Sequence, residues 1–125
     1  MIEIKNLSKS FGDKTVLDDV SCIMQTGKMN LIIGTSGRGK TVFLKCIVGL
    51  MKHEKGEVFN DGKNFMDLDV KEKKELRVQI GMLFQGSALF DSLTVEQNVM
   101  FPLDMFTTKN FKEKRARVNE VLERV

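Results

Sequence analysis

Eight consecutive residues, Gly34-Thr35-Ser36-Gly37-Arg38-Gly39-Lys40-Thr41, fit the spacing G-x-x-x-x-G-K-[ST]. Each fixed position has a chemical task. Gly34, Gly37 and Gly39 can take positive φ, so the backbone can wrap a small anion and turn its N–H groups inward. Lys40 is a compact point charge that reaches β- and γ-phosphates. Thr41 offers a hydroxyl to Mg²⁺. Arg38 stands at a free position and either contacts phosphate or is a solvated loop arginine. The pattern points to binding of a nucleoside triphosphate. At average composition it would arise by chance in a chain of this size about one per cent of the time.

The setting that makes such a loop credible is between a strand and a helix. The apolar run Leu31-Ile32-Ile33 precedes it and Val42-Phe43-Leu44 follows it. The pattern therefore predicts a strand over residues 29–33 and a helix over residues 40–50, apolar nearly all round and deeply buried. The first turn of that helix, including Val42, adds unpaired N–H groups and the positive end of the dipole.

Two further residues carry possible chemistry. Gln85 ends a second apolar run over residues 79–84. If the two runs are parallel strands, Gly34 and Gln85 share the carboxyl edge of a sheet, where open α/β sheets bind ligands. Gln85 would then face the γ-phosphate, Mg²⁺ and the attacking water, coordinating through its oxygen and donating through its nitrogen. An ordinary strand-end glutamine is the alternative. Phe11, beside Gly12 in a turn, could stack on a purine ring, a contact worth about 1–3 kcal/mol in nucleic-acid binders. A strand-end core aromatic is the alternative.

The chain has 125 residues, 42% of them hydrophobic, about one ordinary domain with enough apolar material for a core. A net charge of +3, spread along the chain, gives no argument for nucleic acid. Cys22 and Cys46 lie in apolar runs and read as buried thiols of a reducing compartment. His53, the only histidine, reads as a surface residue. No apolar stretch approaches the roughly 20 residues needed to span a bilayer, and the first residues lack a signal-peptide hydrophobic region, which predicts a soluble protein.

Ile2, Ile4 and Leu7 suggest a half-buried strand, and a second is expected over residues 15–25, with Val20, Cys22 and Met24 on one face. Short connections make these pairings antiparallel, the one into residues 29–33 included. Residues 56–63 read as a strand closed by the Asp61-Gly62 turn. Asp69-x-x-Glu72, Thr94-x-x-Gln97 and Asn110-x-x-Glu113 are capping-box patterns opening helices. Pro102 is expected to end or kink the second of these. In the last, Phe111, Val118, Val121, Leu122 and Val125 share one face, Glu113/Arg117 and Glu120/Arg124 form i,i+4 pairs, and Lys112, Lys114 and Arg115 are a solvated face.

Taken together the chain resembles the ATP-binding cassette (ABC) ATPases. The resemblance rests on Phe11-Gly12, Val16-Leu17-Asp18-Asp19-Val20-Ser21, the phosphate loop, Gly56-Glu57-Val58 through Asp61-Gly62-Lys63, Ile80-Gly81-Met82-Leu83-Phe84-Gln85 and Leu93-Thr94-Val95-Glu96-Gln97-Asn98-Val99. It implies an α/β P-loop NTPase fold with an N-terminal antiparallel β-subdomain, a partial parallel core sheet and the start of a helical subdomain. The implied organisation is an antiparallel region over 1–30, a P-loop core over 31–86, and a Q-loop region with the first helices over 87–125. Phe11 matches the adenine-stacking aromatic, residues 34–41 the Walker A loop, and Gln85 the Q-loop glutamine. The implied function is ATP binding and hydrolysis, with Mg²⁺, coupled to transport through a separate membrane permease. The subunit would sit in the cytoplasm on the inner face of the cell membrane and work as a homodimer, without nucleic acid. Gly86-Ser87-Ala88-Leu89-Phe90-Asp91-Ser92-Leu93-Thr94-Val95 is similar to the same region in ATPases of Mla/Mce-type phospholipid transporters. By that likeness Leu89, Phe90 and Leu93 would meet a permease helix; packing of the helical subdomain is the alternative.

The family's Leu-Ser-Gly-Gly signature, the Asp-Glu pair after an apolar strand and the switch histidine do not occur in these 125 residues. The chain thus reads as the amino-terminal half of such an ATPase, inactive in isolation. A regulatory nucleotide-binding module without hydrolysis, or an ABC ATPase for another substrate, are the alternatives. A GTPase would want Asn-Lys-x-Asp, which is absent, and no heptad run suggests a coiled-coil DNA-repair ATPase.

Overall fold

A computed structural model of the chain describes residues 1–86 and 88–125; Ser87, in the stretch similar to phospholipid-transport ATPases, lies outside them. The chain divides into two compact units, Met1–Ile80 and Gly81–Val125.

The first unit is built on a four-stranded antiparallel sheet in the order β2-β1-β3-β4, formed by β1 (Ile2–Phe11), β2 (Lys14–Met24), β3 (Lys55–Asn60) and β4 (Lys63–Asn64). The expected hairpins are present, one turning at Gly12 (φ 57) and the other at Asp61-Gly62. Ile4 and Leu7 are both buried although a spacing of three would put them on opposite faces of a regular strand. The register breaks between them, with Asn6 at φ 51. In β2, Asp19 at φ 50 breaks the register in the same way, between buried Leu17 and half-buried Val20. The two irregularities face each other and are stitched by side chains. Asn6 Nδ2 donates to Asp19 Oδ1 at 2.7 Å, the Asn6 amide to Ser21 Oγ at 2.8 Å and the Asp19 amide to Ser8 Oγ at 3.1 Å. The bulges re-phase both strands so that their apolar residues meet one core.

Helix α1 (Lys40–Ile47) covers that core with Phe43, Cys46 and Ile47, the i, i+3, i+4 stripe of a helix lying on a sheet. It is shorter than expected and Leu44 is 42% exposed, so it is amphipathic rather than buried all round. At its end Gly49 (φ 69) leaves room for the ring of Phe65, which would lie 2.1 Å from a Cβ there. Helix α2 (Val70–Val78) closes over the same ring. Lys73 and Arg77 lie over its faces at 5.7 and 5.6 Å, and Arg77 Nη2 donates to the Gly49 carbonyl at 2.9 Å.

Several expectations are corrected. Residues 29–33 and 79–84 form no strand, so the parallel core sheet is not present among the described residues. An extended apolar segment becomes a strand only when a neighbour supplies ladder hydrogen bonds, and neither segment has one; Met29, Leu31, Ile33 and Leu83 stand 78–97% exposed. Cys22 is exposed, and only Cys46 is the buried thiol expected of both. His53 is half-buried, its Nδ1 hydrogen-bonded to the Lys55 carbonyl at 3.2 Å.

The second unit pairs α3 (Val95–Phe106) with α4 (Phe111–Glu123). Met100 and Val118 are its buried residues, while Phe111 and Val125 stay exposed on the supposed apolar face. Pro102 does not end the helix: α3 runs four residues further, to Phe106, and Thr107 closes it by bonding the Leu103 carbonyl through both its amide (3.1 Å) and its hydroxyl (2.6 Å). One proline removes one helical hydrogen bond, which the surrounding turns outweigh. Glu113 does not pair with Arg117, because its carboxylate is used in the capping box, accepting from the Asn110 amide at 2.8 Å. Arg117 instead joins Arg124 on Glu120, and the Arg117 hydrogen bond is the main reason the Glu120 carboxyl sits below its usual range. The basic cluster is not merely solvated: Lys114 pairs with Asp104 at 2.8 Å and Arg115 with Glu96 at 2.9 Å, bridging α4 to α3.

Gly56 (φ 94) is where β3 crosses the β1 bulge, and a Cβ there would lie 2.5 Å from the Asn6 carbonyl oxygen. Gly56→Ala is expected to cost roughly 2–4 kcal/mol in urea unfolding, from the φ penalty and the backbone clash together. Gly62→Ala, with positive φ but open space around it, should cost only about 1–2 kcal/mol.

Candidate nucleotide-binding site

The helices of this chain fall into two kinds at their N-termini. α2, α3 and α4 each open with a complete reciprocal capping box, through Asp69/Glu72, Thr94/Gln97 and Asn110/Glu113, as their patterns predict. Each also carries an acid in its first turn. α1 has neither. Its N-cap is Gly39, no side chain caps it, its first turn holds no acid, and its first residue is Lys40. The first-turn N–H groups and the positive dipole end are thus left for something other than the chain's own side chains.

The loop ahead of it is shaped by two of the three expected glycines. Gly37 (φ 75) and Gly39 (φ 86) are left-handed, whereas Gly34 is not; its Cα side faces the Lys40 stem, 3.9 Å from a Cβ placed there. Lys40 Nζ donates to the Gly34 and Thr35 carbonyls, both at 2.7 Å, so the ammonium folds over the mouth of the loop. Thr35, Ser36, Arg38 and Thr41 are exposed, and Val42 is half-buried in the first turn. Gly39 itself is buried against β2: a Cβ would meet Val16 Cγ1 at 2.9 Å, the Val16 carbonyl oxygen at 3.0 Å and Leu17 Cδ2 at 3.2 Å. This contact fixes the loop to the β1–β2 hairpin.

Phe11 stands near the tip of that hairpin, paired with Lys14 and 48% exposed. It is therefore not a core aromatic. Its surroundings include two residues to which no sequence signal pointed, Lys9 and Glu54. Lys9 Nζ lies 5.0 Å from the Phe11 ring centroid and is hydrogen-bonded to Glu54 Oε1, while Glu54 Oε2 accepts from the Ser10 amide at 2.8 Å. The Lys9 ammonium first, and then the Ser10 amide, hold the Glu54 carboxyl below its usual range. The pair joins residues 45 apart, so only the folded chain reveals it.

A groove of about 640 Å³ opens beside the loop, reaching Gly34 and Lys40 from an apolar floor of Val20, Met24, Leu31, Ile33 and Phe43. Gln85 belongs to the second unit, in a turn with Gly86 (φ 93). In that unit Leu89 and Phe90 are exposed and Leu93 is half-buried. Asn98, a third residue to which the sequence reading gave no role, holds this stretch. Its Oδ1 accepts from the Phe90 amide at 2.8 Å, and its Nδ2 faces the carbonyls of Phe90, Leu93 and Thr94 at 3.0, 3.1 and 3.0 Å. An asparagine three residues into a capped helix, in reach of the preceding loop, is the signal that could have found it.

The ABC transporter family profile matches residues 17–125. The chain belongs to the ABC transporter family. Relatives include a probable ribonucleotide transport ATP-binding protein of Mycobacterium leprae, 40% identical over 99% of this chain and 36% of its own length. A methionine import ATP-binding protein of Clostridioides difficile is 41% identical over 98% of the chain and 38% of its own length. An intermembrane phospholipid transport system ATP-binding protein of Haemophilus influenzae is 41% identical over 82% and 39%. Among solved structures, a dimeric bacterial ABC transporter cassette superposes with a TM-score of 0.88 at 34% identity, over 98% of this chain and 56% of the other. A post-hydrolysis cassette bound to ADP and Pi gives 0.86 at 33% identity, with the same coverage. The ABC chain described here thus spans little more than a third of its curated relatives' length. It has the P-loop NTPase fold of those cassettes, with the antiparallel sheet that resemblance predicted. No helix among its described residues is long and apolar enough to cross a membrane.

Gly39→Ala places a Cβ into β2 at a positive φ. It is expected to weaken triphosphate binding by more than about tenfold and to lower the unfolding free energy by roughly 2–4 kcal/mol; nucleotide titration and urea unfolding of the same variant check both.

Proposed function

We propose that this chain is the nucleotide-binding part of the ATPase subunit of an ABC transporter, coupling ATP hydrolysis to phospholipid movement through a separate permease. The observation that carries the reading is the N-terminus of α1: uncapped, entered through two left-handed glycines, and headed by Lys40. Residues 34–42 would cradle the β- and γ-phosphates with main-chain amides, Lys40 exchanging its two carbonyl partners for phosphate oxygens. Phe11 would stack on the adenine. No cluster of three His, Cys, Asp or Glu able to hold a metal occurs among the described residues. Mg²⁺ would be held by oxygen donors of the nucleotide together with the Thr41 hydroxyl, a hard-oxygen set that suits it. Bound there, Mg²⁺ supplies charge neutralisation across the phosphate oxygens. By the family resemblance Gln85 takes the Q-loop role.

The permease is proposed to dock on the stretch of Leu89, Phe90 and Leu93, in which Leu89 and Phe90 are exposed and whose backbone Asn98 holds in place. A second ATPase subunit would complete a homodimer, as the dimeric cassette among the structural relatives suggests. The subunit would then sit on the cytoplasmic face of the membrane. The Haemophilus influenzae relative and the likeness over residues 86–95 favour a phospholipid over the ribonucleotide or methionine of the other relatives' names.

In the protein as its gene encodes it, Lys40→Ala is expected to weaken ATP binding more than about tenfold and bring phosphate release to background. Unchanged hydrolysis in that variant would refute the reading. Residues 1–125 alone should turn ATP over at the background rate, since the signature and the Asp-Glu pair used for phosphoryl transfer do not occur in them; phosphate release by the purified segment checks this.

A further inference from the structure

We propose that Lys9 and Glu54 form a positioning pair that sets the ring of Phe11 for the nucleotide base, an inference that rests on the reading of Phe11 as the base platform.

The need for such a pair follows from where the sheet stops. β1 is laddered to β3 only as far as Ser8↔Lys55. Beyond that rung the last residues of β1 keep their β2 partners, Ser10↔Thr15 and Phe11↔Lys14, but have no strand on the other side. A hairpin end held on one edge only is free to twist. Glu54 supplies the missing edge. Its amide donates to the Ser8 carbonyl at 3.1 Å and its Oε2 accepts from the Ser10 amide at 2.8 Å, extending the ladder by a side-chain rung. Its other oxygen takes the Lys9 ammonium.

Lys9 carries the restraint to the ring. Its side chain is only 12% exposed, with the stem packed and the ammonium pinned by Glu54. Lys9 and Phe11 are two apart on a strand and project from the same side, which brings Nζ to 5.0 Å from the ring centroid. A cation at that distance attracts an aromatic ring. The ring is thereby fixed relative to β2, and through Val16 relative to Gly39 and the phosphate loop. A base stacked on a fixed ring loses less freedom on binding than one stacked on a mobile ring.

The pair acts on the base and not on the phosphates, and this makes the test specific. Affinities for MgATP and for inorganic tripolyphosphate are measured by competition on the protein as encoded and on Lys9→Met, Lys9→Arg, Glu54→Gln and Phe11→Ala. Lys9→Met and Glu54→Gln are expected to weaken MgATP about three- to tenfold while tripolyphosphate stays within about twofold, which also reports that the loop is still folded. Lys9→Arg, which keeps the cation, should recover most of the loss. Equal losses for both ligands, or no loss for MgATP, would overturn the inference. If Phe11→Ala leaves MgATP unchanged, the base-platform reading fails and this one with it. If Phe11→Ala weakens MgATP but the Lys9 and Glu54 variants do not, only the positioning pair is wrong.

Discussion

A lysine at the positive end of a helix dipole is an electrostatic conflict that an anion resolves, and the first unit is arranged around it. α1 forgoes a capping side chain, worth about 0.5–2 kcal/mol, and the first-turn acid, worth about 0.3–1 kcal/mol, both of which the other three helices possess. Burial of Phe43, Cys46 and Ile47 against the sheet offsets this, at about 1.5–3 kcal/mol for each large apolar side chain. The helix is therefore stable because of its lower face, which leaves its N-terminus available for ligand chemistry. The same separation explains the close contact of Gly39 with Val16 and Leu17: the cradle is registered on the sheet, not on the ligand.

That registration depends on irregularities in the strands. Ile4 and Leu7 of β1, and Leu17 and Val20 of β2, could not all serve one core in regular strands. The facing bulges at Asn6 and Asp19 solve both mismatches at once, and their cost in positive φ is met by local side-chain hydrogen bonds. Gly56 belongs to the same device, since only a residue without a Cβ can pass the Asn6 carbonyl.

What was legible in the sequence was local. The phosphate loop, the three capping boxes, the two hairpins and the start of α1 are each written within a few residues, where propensity and geometry act directly. What was not legible depended on distant or absent partners. Residues 29–33 and 79–84 have strand composition but no ladder neighbour, so composition alone misjudged them. Glu113 had two competing partners within reach, and the cap prevailed because backbone N–H groups need satisfying whereas an exposed ion pair is worth about 0.3–0.5 kcal/mol. Lys9 and Glu54 look like ordinary surface charges until β1 and β3 meet. At the site the loop runs into α1 as the pattern expects, but the strand ahead of it is absent, Gly34 is not left-handed and Phe11 is exposed.

The contrast between the two thiols has a practical side. Cys46 is sealed under α1, while Cys22 lies on β2 among the residues that line the groove, its sulfur partly desolvated and its pKa raised. Within these 125 residues a maleimide-borne fluorophore would therefore choose a single address without any engineering. Because that address borders Leu31 and Ile33, its emission would report on whatever comes to rest along the unladdered backbone leading into the phosphate loop.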